Sequence, residues 1–304
     1  MALGFGVGAC SIYDSSLLDP GPAGGSGGSS SSGNGGGAGD APDASVGGSG
    51  TGGSGGGSGD GSGGSAGSAG SAGSSAGSAG TSGLETEILD DMEDGNGFLF
   101  NFGGRNGDWF AGNDATAGGT QVPVSGMFKM SSRDAPDGVS TCVDDCVAYT
   151  KGGGFTSWGA VMGANIRSAQ MNDAGAYFIP PYDASDYCGV RFSAKIGATS
   201  TPQIRFVMAD KSSFHTGGVC NPDLPLPNLQ GCNDHHGLSL ALTTEWKTFD
   251  VLFSELVQEG SGLQAEFDPS AVYTFEFPIF KDTQFELWID DLVLLKKPAG
   301  GACP

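Results

Sequence analysis

The chain has 304 residues with 57 glycines, and its 34 acidic and 13 basic residues give a formal net charge of −21. Glycine makes up about 7% of ordinary proteins, so this excess excludes a single compact domain of uniform composition. The acidic excess argues against nucleic-acid binding, which needs Lys and Arg to replace phosphate counterions. The sequence also lacks the run of about 20 apolar residues that a membrane-spanning helix requires.

The first twenty residues are predicted to be a truncated lipoprotein signal. A short apolar segment ends in Val7-Gly8-Ala9-Cys10, which resembles the lipobox of bacterial lipoproteins, where the cysteine becomes the lipid-modified N-terminus. The resemblance implies lipidation at Cys10 and export to the bacterial cell envelope or the extracellular space. The segment lacks a basic region and is short for a signal peptide, which a start codon lying further upstream would explain. The alternative is a cytosolic N-terminus with an incidental cysteine.

Residues 21–83 are predicted to be a disordered tether. Of these 63 residues 28 are Gly and 17 are Ser, and Val46 is the only branched aliphatic residue. Such a segment cannot bury enough apolar surface to offset its chain entropy. A Gly/Ser coil of this length has a root-mean-square span of roughly 45 Å.

Residues 84–297 are predicted to form one all-β domain, because strand patterns separated by turn residues recur throughout. In 188–196 the residues Val190, Phe192, Ala194 and Ile196 alternate with polar ones, and in 203–209 Ile204, Phe206 and Met208 do the same. Further strands are predicted at 98–102, 246–253, 272–280 and 284–295. Many strands without helices indicate two antiparallel sheets packed face to face.

Three segments carry a resemblance to a known family. The domain opens with Ile88-Leu-Asp-Asp-Met-Glu-Asp-Gly95 and closes with Leu287-Trp-Ile-Asp-Asp-Leu-Val293, and Thr243-Thr-Glu-Trp-Lys-Thr-Phe-Asp-Val-Leu-Phe-Ser-Glu-Leu256 lies between them. Together they resemble bacterial carbohydrate-binding modules of the galactose-binding-like jelly-roll type, which are associated with β-glucan-degrading enzymes. The resemblance implies a jelly-roll β-sandwich, a polysaccharide ligand, and first and last strands that lie side by side.

The six cysteines beyond Cys10 are predicted to form disulfides. Local spacing favours Cys142 with Cys146 and Cys220 with Cys232, which leaves Cys188 to pair with Cys303 in the tail 298–304. Disulfides persist in oxidising compartments, so they agree with export. A zinc site is the less favoured alternative, since the usual C-x2-C pairs are missing.

The acidic residues at the two ends of the domain are candidate calcium ligands. In jelly rolls of the resembling type the first and last strands often share a structural calcium ion, which prefers six to eight oxygen ligands. The candidate residues are Asp91, Glu93, Asp94, Asp290 and Asp291. The alternative is that these are ordinary acidic strand ends on a negatively charged surface.

Candidate sugar ligands combine aromatic rings, which pack on the apolar faces of sugars, with polar groups for the hydroxyls. Arg191 and Arg205 are expected on the polar faces of what could be adjacent strands. Aromatic or polar residues of nearby loops complete the set: Trp158, Tyr182, Asp210, His215, Asp234 and His235. The alternative is that Trp158 belongs to the core and that the arginines form surface ion pairs.

The sequence therefore predicts non-catalytic polysaccharide binding by a monomeric, lipid-anchored protein, with a β-glucan as one candidate ligand. Two alternatives remain open: a glycan hydrolase or lyase with an acidic cleft, and a cell-surface protein that binds other proteins. Catalysis has little support, since no G-x-S-x-G or H-E-x-x-H motif is present. A glycosidase needs two suitably spaced carboxyl groups, and 34 acidic residues would supply such a pair by chance.

Overall fold

The computed structural model describes residues 83–124 and 128–304. The predicted leader, the lipidation site at Cys10 and nearly all of the predicted tether lie outside these residues. Apart from the 3₁₀ helix Phe253–Glu255, every element that the structure describes is a strand. The strands in chain order are β1 (Thr86–Asp90), β2 (Trp109–Asn113), β3 (Thr120–Val122), β4 (Ser131–Ser132), β5 (Cys146–Gly153), β6 (Gly159–Asn165), β7 (Gln170–Met171), β8 (Tyr177–Phe178), β9 (Tyr187–Ile196), β10 (Gln203–Asp210), β11 (His236–Ala241), β12 (Lys247–Leu252), β13 (Val272–Phe280) and β14 (Gln284–Lys296).

The strands form two antiparallel sheets. The seven-stranded sheet has the order β12-β9-β14-β5-β3, with β1 paired to β14 and β4 paired to β5. The five-stranded sheet has the order β11-β10-β13-β6-β2, and β7 and β8 form a separate small hairpin. The pairs β5/β6, β9/β10, β11/β12 and β13/β14 each cross from one sheet to the other, which is the winding of a jelly roll. The predicted jelly-roll sandwich is confirmed.

The core lies between the sheets and contains the apolar residues that the alternation assigned to it. Val190, Phe192 and Ala194 of β9 face Phe206 of β10 and Phe277 of β13, and all five are buried. The Phe192 ring centroid lies 5.3 Å from that of Phe206 and 5.2 Å from that of Phe277. The rings therefore join the two sheets directly, as in close-packed β-sandwiches.

The first and last strands lie side by side, as the resemblance implied. Thr86 of β1 is opposite Leu295 of β14, and Ile88 is opposite Val293. A bulge interrupts the register between Ile88 and Asp90. The start and the end of the domain are thus joined in the seven-stranded sheet.

All three predicted disulfides are present. Cys142 is bonded to Cys146, Cys220 to Cys232, and Cys188 to Cys303. The third bond joins residues 115 positions apart and fixes the tail against the beginning of β9. Within the described part of the chain, no helix is long and apolar enough to cross a membrane.

One predicted strand is wrong. The segment 98–102 makes only isolated bridges, from Phe98 to Asp108 and from Phe102 to Arg105. Leu99 is buried, but Phe98, Phe100 and Phe102 are 61%, 54% and 54% exposed. The apolar composition suggested a buried strand, whereas most of the apolar residues of the segment face solvent.

Candidate functional site

Arg191 and Arg205 do not form a common binding face. Arg191 lies on β9 in the seven-stranded sheet, and Arg205 lies on β10 in the five-stranded sheet. The expected adjacency is wrong because the chain crosses between the sheets from β9 to β10. Arg191 Nε and Nη2 donate to the two carboxylate oxygens of Asp250 at 2.5 and 2.9 Å. Arg205 pairs with Glu259 at 3.3 Å. Both arginines therefore form ion pairs, as the alternative interpretation of the sequence expected.

Asp234 organises a loop. Its carboxylate accepts hydrogen bonds from the backbone N–H groups of residues 259–262 and from Gln264 Nε2, at 2.8–3.0 Å. Burial would raise the pKa of Asp234, but these donors lower it below its usual value. Because five donors of one loop converge on its carboxylate, Asp234 has a structural role.

The neighbouring histidines both contact residues 210–213 at the end of β10. His235 is buried, with Nδ1 at 3.0 Å from Ser213 Oγ, and burial lowers its pKa to about 4. His236 instead places Nε2 at 3.6 Å from Asp210 Oδ2. Asp210 is fully buried and also accepts a hydrogen bond from Ser212 Oγ at 2.6 Å. His236, which was not among the candidates predicted from the sequence, lines a cleft, whereas His235 does not.

Trp158 and His215 are half-buried. The backbone N–H of Trp158 donates to Asp114 Oδ2 at 3.0 Å, in the turn that precedes β6. The His215 ring centroid lies 4.4 Å from that of Phe214, and burial lowers its pKa. Neither residue lines the cavities that surround Tyr182 and His236.

Tyr182 belongs to a network built on a buried arginine. Arg105 is fully buried, and its Nη1 donates to Glu87 Oε1 at 2.7 Å and to Tyr182 Oη at 2.9 Å. Tyr187 Oη donates to the same Glu87 oxygen at 2.6 Å. Burial would raise the pKa of Glu87, but hydrogen bonds from Tyr187, Arg105 and Lys296 lower it to about 2. Glu87 is therefore ionised and paired with Arg105 and Lys296 beside two tyrosine rings.

This network lines an open surface depression, here called the groove. Two adjoining cavities of about 560 and 530 Å³ share Glu87, Asp186 and Tyr187. Such volumes are within the range of ligand-binding clefts. The first cavity continues along residues 296–301, from the end of β14 into the tail. The second is completed by Phe102, Gly103, Gly104, Arg167, Pro181, Tyr182 and Asp183. The groove thus combines carboxylates, a guanidinium group and aromatic rings.

An exposed aromatic segment ends at the groove. Phe98, Phe100 and Phe102, here called the phenylalanine strip, are each more than half exposed. Phe102 lines the groove, and its ring centroid lies 5.7 Å from the Arg105 guanidinium carbon. The strip is attached to β1 by the hydrogen bond from the Phe100 N–H to the Leu89 carbonyl at 3.0 Å. Exposed apolar patches of this kind usually mark interaction sites.

Calcium binding by the five candidate ligands stays a prediction. Asp91 and Asp94 are exposed and accept hydrogen bonds from residues of their own turns. Asp290 is buried and forms an ion pair with Arg133. Across residues 83–124 and 128–304, no group of three or more His, Cys, Asp or Glu side chains is placed to hold a metal ion. A calcium ion bound here would therefore need backbone carbonyls to complete its six to eight oxygen ligands.

Glu276 is a buried carboxyl outside the groove. It lies in β13 between Val207 of β10 and Gly163 of β6. Its side chain is fully buried, and Thr274 Oγ1 donates to Oε1 at 2.8 Å while Oε2 has no partner. Burial raises its pKa from 4.5 to about 7 against the opposing effect of the Thr274 hydrogen bond. The folded state therefore binds a proton at Glu276 that the unfolded state has already released above pH 4.5.

We expect Glu276→Gln to stabilise the protein in a pH-dependent way. Between pH 4.5 and 7 the folded state binds more protons at Glu276 than the unfolded state, so the wild type loses stability as the pH rises. Glutamine removes this loss, and the variant should be more stable than the wild type at pH 8 by on the order of 2–3 kcal/mol. Urea denaturation at pH 4 and pH 8 measures the effect. The same difference between variant and wild type at both pH values would contradict it.

Several solved structures are similar to the chain. The family 11 carbohydrate-binding module of the cellulosomal cellulase Lic26A-Cel5E of Clostridium thermocellum is 15% identical, with a TM-score of 0.41 over 70% of this chain and 96% of that chain. A family 11 module from Clostridium thermocellum in complex with a β-1,3-1,4-mixed-linked tetrasaccharide is 17% identical, with a TM-score of 0.39 over 66% and 96%. A family 30 module of the cellulosomal cellulase Cel9D-Cel44B of the same organism is 14% identical, with a TM-score of 0.29 over 46% and 77%. No family model and no curated protein sequence matches the chain.

Proposed function

We propose that the domain binds a polysaccharide without cleaving it, along the phenylalanine strip and the groove. The observation that carries the proposal is the exposed Phe102 ring in the lining of a groove rich in hydrogen-bonding groups, with the exposed Phe98 and Phe100 in the segment that precedes it. Sugar rings present apolar C–H faces to aromatic rings, while their hydroxyls need polar partners. The strip supplies the aromatic rings, and the polar partners are Asp183, Asp186 and Arg167.

The groove is prepared for binding before a ligand arrives. Arg105 joins Glu87, Tyr182 and Tyr187 through hydrogen bonds of 2.7–3.3 Å. The disulfide from Cys188 to Cys303 fixes the adjoining tail. Because these side chains are already ordered, little conformational entropy is lost on binding.

The alternative of a glycan hydrolase has less support. A glycosidase needs a general acid whose pKa is raised so that it holds a proton at neutral pH. In the groove the pKa values of Glu87 and Asp183 are both lowered, that of Glu87 to about 2. Asp90 has a pKa raised to about 7, mainly by burial, but it does not line the groove and instead accepts a hydrogen bond from Trp109 Nε1 at 2.7 Å.

We also propose that the protein is exported and lipid-anchored through Cys10, with the Gly/Ser segment as a spacer. Three disulfides in the folded domain support an oxidising compartment. A spacer of roughly 45 Å would let the domain reach a polysaccharide away from the membrane surface. Mass spectrometry of the membrane fraction tests this: a diacylated N-terminal Cys10 is expected, and an unmodified, soluble chain would contradict it.

Affinity electrophoresis in gels that contain mixed-linkage β-glucan, laminarin, xylan or mannan tests the binding proposal. We expect retardation in at least one gel, with a β-glucan as the preferred candidate, and no release of reducing sugar on prolonged incubation. Unretarded migration of the folded protein in every gel would refute carbohydrate binding and favour a protein partner for the strip. Release of reducing sugar would establish the enzyme alternative.

A further inference from the structure

A second candidate binding site lies at the edge of the sandwich, away from the groove. β11 is the edge strand of the five-stranded sheet, and its first residue is His236. The segment 253–267 faces it and closes a cleft of about 460 Å³. None of the residues that line this cleft lines the groove. We propose that the cleft binds a single neutral sugar ring, such as the terminal residue of a glycan.

The walls of the cleft are aromatic. The ring centroids of Phe253 and Phe267 are 5.2 Å apart, and Phe267 meets the His236 ring edge to face at 5.4 Å. Both phenylalanines pack on the core but are only partly buried. Part of their surface is thus available to the C–H face of a ring-shaped ligand.

His236 supplies a polar group at the inner end. Its register opposite Met208 directs it between the two sheets. Nε2 lies near Asp210 Oδ2 and Ser212 Oγ, at 3.6 and 3.4 Å, so Nδ1 is the nitrogen left for a ligand hydroxyl. Burial lowers the pKa of His236, and a neutral imidazole can both donate and accept hydrogen bonds.

The loop beside the cleft is held in place independently of any ligand. Asp234 binds the backbone N–H groups of residues 259–262. Gln258 Nε2 donates to the carbonyls of Asp234 and Leu263 at 2.7 and 2.8 Å. A rigid wall reduces the entropy lost on binding.

The charge of the cleft favours a neutral ligand over an acidic one. Glu266 is an exposed residue of its lining, and the chain carries a net charge of −21. A uronic acid or a sulfated sugar would be repelled. The choice of a sugar over other ring-shaped molecules rests on the proposed function, whereas the location of the site does not.

NMR titration of the full-length protein with glucose, galactose, mannose or xylose tests the proposal. We expect saturable shifts of the His236 and Phe267 side-chain resonances with at least one sugar, with a dissociation constant of about 1–10 mM. Glu266 lines the cleft, and its carboxylate is proposed to accept a hydrogen bond from a sugar hydroxyl, so Glu266→Ala should weaken this binding about fivefold. Glu245→Ala is the control, because it changes an exposed glutamate that does not line the cleft, and it should leave the affinity unchanged.

Three results would overturn the proposal: no shift at His236 with any of the sugars, equal affinity for Glu266→Ala and wild type, or equal shifts from cyclohexanol.

The variant in which Phe98, Phe100 and Phe102 are all alanine separates the two sites. It should lose retardation in polysaccharide gels and keep the His236 shifts. Loss of both the gel retardation and the His236 shifts in a folded variant would show that the cleft is not a separate site. Retardation of the wild type without His236 shifts would refute the cleft alone.

Discussion

Replacement of Arg105 by methionine is expected to lower the free energy of unfolding by about 3–5 kcal/mol, the usual cost of removing one partner of a buried ion pair. The change leaves Glu87 without its buried guanidinium partner and Tyr182 Oη without the Nη1 hydrogen bond. Lys296 Nζ, at 3.2 Å from Glu87, compensates part of the charge, which places the expected loss nearer 3 kcal/mol.

Arg191→Met is the matched control for this experiment. Arg191 also pairs with one carboxylate, through two nitrogens where Arg105 uses one, but its side chain is 31% exposed whereas that of Arg105 is 0% exposed. Partly exposed pairs contribute about 0–1 kcal/mol. Urea denaturation of both variants gives the comparison, and a loss for Arg105→Met no larger than that for Arg191→Met would show that the network does not stabilise the groove.

Replacement of Phe98, Phe100 and Phe102 by alanine is expected to weaken polysaccharide binding about 100-fold. Each ring that stacks on a sugar contributes about 1 kcal/mol, and about 1.4 kcal/mol corresponds to a factor of ten in affinity. Because the rings are 54–61% exposed, the free energy of unfolding should change by less than about 0.5 kcal/mol per residue. Calorimetric titration with the retained polysaccharide measures the affinity.

The control for the strip replaces three other exposed apolar residues, Val139, Val143 and Leu229, by alanine. These side chains are 65%, 90% and 69% exposed and line neither the groove nor the cleft. The control variant should bind like the wild type. Equal affinity of the strip variant and the control would remove the phenylalanine strip from the binding site.

The sequence predicted the fold because alternation with period two reports burial directly. Val190, Phe192 and Ala194 alternate with polar residues, and the structure places all three in the core. The disulfides followed from local spacing, since short loops favoured two pairs and left Cys188 with Cys303.

Much of the candidate site could not be predicted in this way. Alternation shows which side of a strand is polar, but it does not show which sheet the strand joins, so Arg191 and Arg205 were expected together. Arg105 lies in a glycine-rich turn and has the composition of a surface loop, yet it is fully buried by contacts with residues 77 and 82 positions away. The phenylalanine strip was misread because apolar composition indicates burial on average, and only tertiary structure shows that the segment 98–102 lies outside both sheets.

Hydrogen–deuterium exchange with and without an oligosaccharide of the retained polysaccharide tests the location of the binding surface most directly. The proposed function predicts slower exchange in the segments 98–104 and 181–187, which form the strip and the groove. Protection confined to the outer face of the seven-stranded sheet at 189–196 and 247–252, or no protection under saturating ligand, would contradict it.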